Sequence, residues 1–500
     1  MKRESITTKT VKGSFWSVSS NILSRAGALI FTIIIARFLL PEGFGIYSLA
    51  TSVALIFLTF ADLGINQTFI KYVSSNLNNK KIARSYFKYI FRLKIILTIV
   101  VSSLILILSY PLAYYFFDKP SLFFPLILCS LYVFLFSLQS FFESALYISH
   151  KTFYLNAKEI IFQLSRIILS LVAFALTIRA YYVSGVIIVL IISMLLITFY
   201  CYYYYKKFLP FLFSKNDSSI IINKREVLSF LGYLTIGGIS GVFFSYIDTV
   251  MLGVFVSSEY VGFYRAGYTL VFGLSGVLAL HQVFLAVFSE SSKASLENNF
   301  NRVLKYLLII AIPAALGLLV LGGPIIKLVY GDDYSGAILI FQFLSPLIIP
   351  GILTSFFIPV LASRGQSKSF AKSIIAAMVM NIVLNFIFII QLLKISQEWA
   401  TIGAGIATLI STFFYIFLLI GSINKSLGIK SNFSIILKPL VAGTVMTLAL
   451  LYAYSKFSEV GGLETVILAL IGLIVYSLVL LLVRGSSFAE ITSFKKMIMK

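Results

Sequence analysis

Apolar runs of roughly 20 to 28 residues follow one another through this 500-residue chain, each long enough to cross a bilayer core about 30 Å thick as a helix. Lipid offers no hydrogen bonds to the backbone, so a crossing segment must be a helix or part of a closed barrel. A barrel needs strands of about ten residues with alternating polarity. Runs such as "IILTIVVSSLILILSY" show no period of two. The expected fold class is therefore an all-α polytopic membrane protein. Proline, glycine and charge clusters cut it into about fourteen transmembrane helices, near residues 14–38, 43–70, 91–117, 121–148, 153–178, 182–205, 228–255, 259–288, 303–330, 336–362, 370–393, 401–423, 435–455 and 462–483. The basic N-terminus precedes an apolar run with no small-residue cleavage site, so the first span is expected to be retained.

The formal net charge of +22 raises the question of nucleic acid, and the placement of the basic residues answers it. Of 40 Lys and Arg, about 32 fall in the two tails and in segments 71–94, 150–166, 206–226, 290–305, 364–372 and 424–438. The intervening connections are short and carry Glu42, Asp118, Glu259, Asp332, Asp333, Glu398, Glu459 and Glu464. This alternation is a topology signal that puts both termini in the cytoplasm, with basic loops facing anionic lipid head groups and no nucleic-acid partner. Cys129 and Cys201 lie inside spans and His150 and His281 are isolated, so neither a disulfide framework nor a metal site is indicated. The phosphate loop of ATPases and the nucleophile elbow of hydrolases are both missing, which reads as a transporter rather than an enzyme and calls for no cofactor.

The chain also repeats itself. "LLPEGFGIY" at 39–47 matches "VSSEYVGFY" at 256–264, pairing Glu42 with Glu259, Gly45 with Gly262 and Tyr47 with Tyr264 at an offset of 217. "YPLAYYFF" (110–117) parallels "GPIIKLVY" (323–330), and "ISHKTFYLNAK" (148–158) parallels "ASRGQSKSFAK" (362–372), with offsets of 213 and 214. Six helices per repeat give two parallel lobes with a site between them near the midplane. The expected division is an N-lobe at 1–205, a linker at 206–227, a C-lobe at 228–423, and two extra helices with a tail at 424–500. In both copies the motif starts a lobe's second helix. Pro41 suits a first helical turn, Glu42 and Glu259 suit the positive end of a helix dipole, and Gly45 and Gly262 are expected to let the preceding helix approach closely.

The stretches "ARFLLPEGFGIYSLA" (36–50), "FADLGINQTFIKY" (60–72), "YIDTVMLGVFVSSEYVGFYRAGYTL" (246–270), "YGDDY" (330–334) and "MVMNIVLNFIFI" (378–389) resemble the polysaccharide-biosynthesis branch of the multidrug/oligosaccharidyl-lipid/polysaccharide flippase superfamily. The resemblance implies a fourteen-helix, two-lobed flippase that carries polyprenyl-diphosphate-linked oligosaccharide from the cytoplasmic to the outer leaflet by alternating access. A polysaccharide polymerase or glycosyltransferases are candidate protein partners. "NILSRAGALIFTIIIAR" (21–37) also resembles the first helix of lipid II flippases, with Arg25 at their cavity arginine but Phe31 where a second arginine is expected. A lipid II flippase and a multidrug or cation antiporter of the same superfamily are the alternatives.

A charge near the bilayer centre costs at least about 2.5 to 3.5 kcal/mol, so the few inside spans mark a wet cavity or a partner. Arg25 leads as a diphosphate ligand because guanidinium binds phosphate bidentately, with a structural ion pair to Asp62 or Asp248 as the other reading. Arg265 and Arg166 follow as diphosphate candidates, each close enough to a span end to snorkel. Asp62, Asn66, Gln67, His281, Gln282, Asn381 and Asn385 are candidate sugar contacts, since Gly64 and Ile65 correspond to His281 and Gln282 in the repeat. The same amides also suit ordinary helix packing. Asp248, which resembles a recurrent acid of the family's seventh helix, is a candidate for ion coupling together with Asp62 and Glu143.

Overall fold

The computed structural model describes residues 6–149, 151–214, 222–277, 284–285, 288–289, 293–429, 432–457 and 460–485. Its long elements are helices: α1 Ile6–Asp62, α2 Ile65–Ser74, α3 Lys80–Pro111, α4 Phe123–Ile148, α5 Thr152–Leu176, α6 Tyr182–Phe208, α7 Lys224–Phe255, α8 Ser258–Val277, α9 Lys293–Tyr330, α10 Ala337–Leu344, α11 Ile348–Ser363, α12 Ser367–Leu393, α13 Gln397–Leu427, α14 Leu437–Tyr454 and α15 Gly462–Leu482. Twelve helical stretches among the described residues are long and apolar enough to cross a membrane. The first, Ser24–Ser74, has 51 residues, about twice what one crossing needs, and counts as two. With the 20-residue α8 this gives the fourteen expected crossings. Side chains such as Ile107 (71% exposed) and Leu482 (81%) need lipid around them.

Two breaks shape the long first stretch. Leu40, with φ 58° and ψ 172°, leaves the helical region immediately before Pro41, which lacks the amide proton to continue a helix and restarts one instead. Further on, Leu63 (φ 43°) and Gly64 (φ 76°) separate α1 from α2. The Leu63 carbonyl accepts from Thr235 Oγ1 of α7 at 3.0 Å. An aromatic cluster then fixes α2: Phe69 stacks within 4.6 Å of Phe141 and contacts Phe87 and Tyr205 from α3 and α6.

Contacts divide the chain into two compact units, Ser19–Gly262 and Phe263–Lys500 with Met1–Val18. The repeat would divide it at 206–227, before α7. By packing, however, α7 sits in the first unit: Tyr72 hydrogen-bonds Glu226 at 3.0 Å, Lys71 lies 3.7 Å over the Phe230 ring, and Lys119 donates to Gly253 O at 2.6 Å in the last turn of α7. In the second unit, α14 and α15 pack on α9. Pro313 deprives the Ile309 carbonyl of its helical donor, and the Tyr476 hydroxyl supplies one at 2.8 Å. The two additional helices are thereby fastened to the bundle.

The repeated glycines meet each other rather than the helices that precede them. A Cβ on Gly45 would collide with the Ser258 carbonyl, and one on Gly262 with the Pro41 carbonyl. Backbone thus touches backbone where the two copies of the motif cross, with Glu42 and Glu259 exposed in their first helical turns. Gly45→Ala is expected to cost about 3 kcal/mol, because the clash is with a main chain that cannot rotate away. Gly43→Ala, whose Cβ meets nothing nearer than 3.4 Å, should be neutral or stabilising. Thermal unfolding of the two purified variants in detergent checks this, and equal midpoints would contradict it.

Candidate functional site

Helix α1 presents Ser24, Gly27 and Phe31 to α5 at a spacing of three and four residues, which is one helix face. Glu159 receives Ser24 Oγ at 2.7 Å and Gln163 Nε2 at 2.8 Å, and Gln163 lies against Gly27, where a Cβ would stand only 3.0 Å from it. Arg166 donates to Gln163 Oε1 and lies 4.4 Å over the ring of Phe31 and 5.0 Å over Phe162. Arg166 therefore stacks inside the unit instead of snorkelling, and it brings a guanidinium to the residue where the lipid II resemblance expected an arginine. Lys158 completes the chain, 3.1 Å from Glu143 and 3.2 Å from Glu159, while Gln139 donates to Glu143 at 2.8 Å. Two acids and two bases balance within one network across α1, α4 and α5.

Arg25 stands outside it. One residue beyond Ser24, it is turned about 100° from the α5 face, is exposed, and has no partner among the described residues. The expected ion pair with Asp62 does not form, because Asp62 is held by Lys94 at 3.0 Å. Lys94 is fully buried, although in sequence it closes the basic segment 71–94 and reads as loop charge. A usable signal was present: Lys94 falls in the stripe Phe87, Ile90, Thr98, Val101, Ile105, spaced as the buried face of one helix.

Beside this pair opens a cavity of about 470 Å³ in the first unit, lined by Asp62, Leu63 and Gly64 at the helix break, by Asn66 and Gln67 after it, and by Thr235 opposite. Three expected sugar contacts therefore share one cavity. Asn66 donates to Ser140 at 3.1 Å. Asn381 and Asn385, by contrast, are completely buried on α12: Asn381 donates to Ser411 of α13 at 3.2 Å and Asn385 to the Asn381 carbonyl at 3.0 Å. The first bond joins α12 to α13, and the second lies within α12. Asp248 is buried in α7 and engaged, and Arg265 on α8 stacks 5.1 Å over Tyr268. His281 and Gln282 lie outside the described residues. No group of three or more potential metal-ligating side chains occurs among the described residues.

A bundle of this kind, with charges paired inside its spans and a polar cavity at a broken helix, defines a multi-pass membrane transporter fold. The sequence profile of the polysaccharide biosynthesis protein family matches residues 10–291, and the chain belongs to that family. The probable low-salt glycan biosynthesis flippase Agl15 of Haloferax volcanii is 24% identical over 283 residues. That match covers 54% of this chain and 57% of the relative, less than two thirds of its length. Among solved structures, the lipid II flippase MurJ in an inward closed conformation superposes with a TM-score of 0.62 at 17% identity, covering 95% of this chain and 98% of its own. An inward-facing multidrug resistance MATE family transporter of the MOP superfamily gives 0.64 at 14% identity, covering 83% of this chain and 99% of its own. These likenesses establish the fold that the sequence motifs implied.

Removing one member of a buried pair strands the other. Lys94→Met is therefore expected to lower stability by about 3–5 kcal/mol, with Asp62→Leu/Lys94→Met recovering most of the loss. Unfolding of the single and double variants measures the coupling. A Lys94→Met protein as stable as the wild type would show that the pair holds nothing.

Proposed function

We propose that this protein flips a polyprenyl-diphosphate-linked oligosaccharide from the cytoplasmic to the outer leaflet by alternating access. The observation that carries the reading is Arg25: a cation inside a span whose counter-ion is not supplied by the described chain calls for an anion from elsewhere, and a diphosphate matches its donor geometry. Arg166 and Arg265 are secondary diphosphate ligands, while the sugars contact the cavity lined by Asp62, Asn66 and Gln67; His281 and Gln282, which lie outside the described residues, stay candidate sugar contacts from the sequence repeat alone. Family membership and the flippase named among its relatives support this cargo class.

The isoprenoid tail remains in lipid. A second cavity of about 990 Å³ lies where α9 meets the two additional helices, and its apolar wall of Leu319, Leu328 and Leu451 would take part of that tail, with Lys327, Asp332, Gln342 and Thr447 forming its polar side. The alternate-loop charge bias supports a cell-membrane protein with both termini in the cytoplasm. Of the carboxylates proposed for ion coupling, Asp62 and Glu143 each face an ammonium group, whereas Asp248 is the deeply buried alternative. A second reading, lipid II transport, draws on the Arg166 guanidinium above Phe31. The lipid that accumulates in the inner leaflet on depletion of the protein separates the two cargoes.

Arg25→Ala is expected to abolish glycan export at wild-type protein level, and Arg25→Lys to restore little, since an ammonium lacks the bidentate fork. Surface glycan measured against membrane-inserted protein tests this. Normal export by the alanine variant would remove Arg25 from the site and the reading with it.

A further inference from the structure

The cavity beside Asp62 has an unequal supply of hydrogen-bonding groups. The protons of its serine and threonine hydroxyls are already used: Thr59 Oγ1 donates to Ile56 O at 2.7 Å and Ser140 Oγ to Ser137 O at 2.9 Å, and Tyr246 is itself engaged. Thr235 Oγ1 has two backbone acceptors to choose from, Leu63 O at 3.0 Å and Leu231 O at 2.9 Å. Asn66 gives an N–H to Ser140 and keeps Oδ1 buried with no partner among the described residues. Asp62 receives Lys94 on Oδ1, its side chain stays 30% exposed, and Oδ2 accepts nothing from the described chain. Lys94 itself is sealed from the cavity, so the ion pair shows its negative side. What remains for a ligand is a set of acceptors, Asp62 Oδ2, Asn66 Oδ1 and hydroxyl lone pairs, with the exposed Gln67 amide as the donor.

A ligand satisfying that set must bring protons. Sugar hydroxyls and protonated amino groups do so, and their C–H faces can lie on the Phe136 and Tyr246 rings that wall the same cavity. A phosphate or sugar carboxylate brings only acceptors and a charge repelled by Asp62. We propose that this cavity is the glycan subsite and that it selects sugars presenting neutral hydroxyl or amino donors while rejecting sugars that carry a carboxylate. The inference rests on the flippase reading and adds the chemical class of glycan. It also separates the two ends of the substrate, since the diphosphate cannot share this cavity and is left to the arginines.

Two probes differing at one carbon test it: a short-chain isoprenyl diphosphate bearing glucose, and the same compound bearing glucuronate. Affinities are measured on the full-length protein in nanodiscs. The wild type should prefer the glucosyl probe by about tenfold. Asp62→Asn keeps an oxygen for Lys94 and turns an amide N–H toward the cavity, so it should gain the acidic probe and shrink the preference to about twofold or less. Gln67→Glu, at an exposed position that folding does not depend on, should widen the preference, which keeps the test open if Asp62→Asn fails to fold. Equal wild-type affinity for the two probes, or an unchanged preference in both variants, would overturn the glycan class and leave the flippase reading standing. Binding of neither probe to the wild type would overturn both.

Discussion

A charge placed in hydrocarbon must find an opposite charge or water, and this requirement organises the first unit. Lys94 reaches Asp62 from the buried stripe of α3, and Lys158 is shared by Glu143 and Glu159. Arg166 closes the series on an aromatic ring. The Lys94–Asp62 pair holds the helix break against α3, Lys158–Glu143 holds α4 against α5, and Ser24 on Glu159 with Arg166 over Phe31 fixes α1 against α5. Among the described residues, Arg25 and the second oxygen of Asp62 are where the balance is left incomplete. They differ in sign, which is why the proposed function gives them different parts of one amphiphilic head group.

The repeated motif serves a different constraint, that of close backbone approach. Pro41 ends one crossing and begins another, and Gly45 and Gly262 allow the two copies to cross at main-chain contact. Tyrosine and glutamate then sit at the same places in both helices, as a duplicated segment requires. Sequence similarity between the copies is thus retained where the copies touch.

Much of this was legible beforehand, for reasons particular residues make plain. Apolar run length yields the crossings, and Pro41 marks the restart of the helix, because both depend on local chemistry. Periodicity identifies a buried face but not the helix it faces. Gly45 was accordingly assigned to its own preceding helix, and Arg166 was expected to snorkel. Lys94 was lost for another reason: α3 begins at Lys80, fourteen residues earlier, so a lysine that looked like loop charge lies about four turns inside a helix. Asn381 and Asn385 show the converse. Polar residues in a span satisfy either a ligand or a neighbouring helix, and sequence does not show that Asn381 bonds α13 while Asn385 bonds its own helix.

In the proposed function a polar head group crosses the membrane by way of Arg25, a cation with no counter-ion among the described residues. The most direct measurement uses sealed proteoliposomes carrying a fluorescent isoprenyl-diphosphate glycan in both leaflets, bleached by an impermeant reductant added outside. With wild-type protein, bleaching should continue past the outer-leaflet fraction at a rate that rises with protein content, and with Arg25→Ala it should stop at that fraction. Wild-type vesicles that stop where protein-free vesicles do, under every ion gradient applied, would contradict the claim.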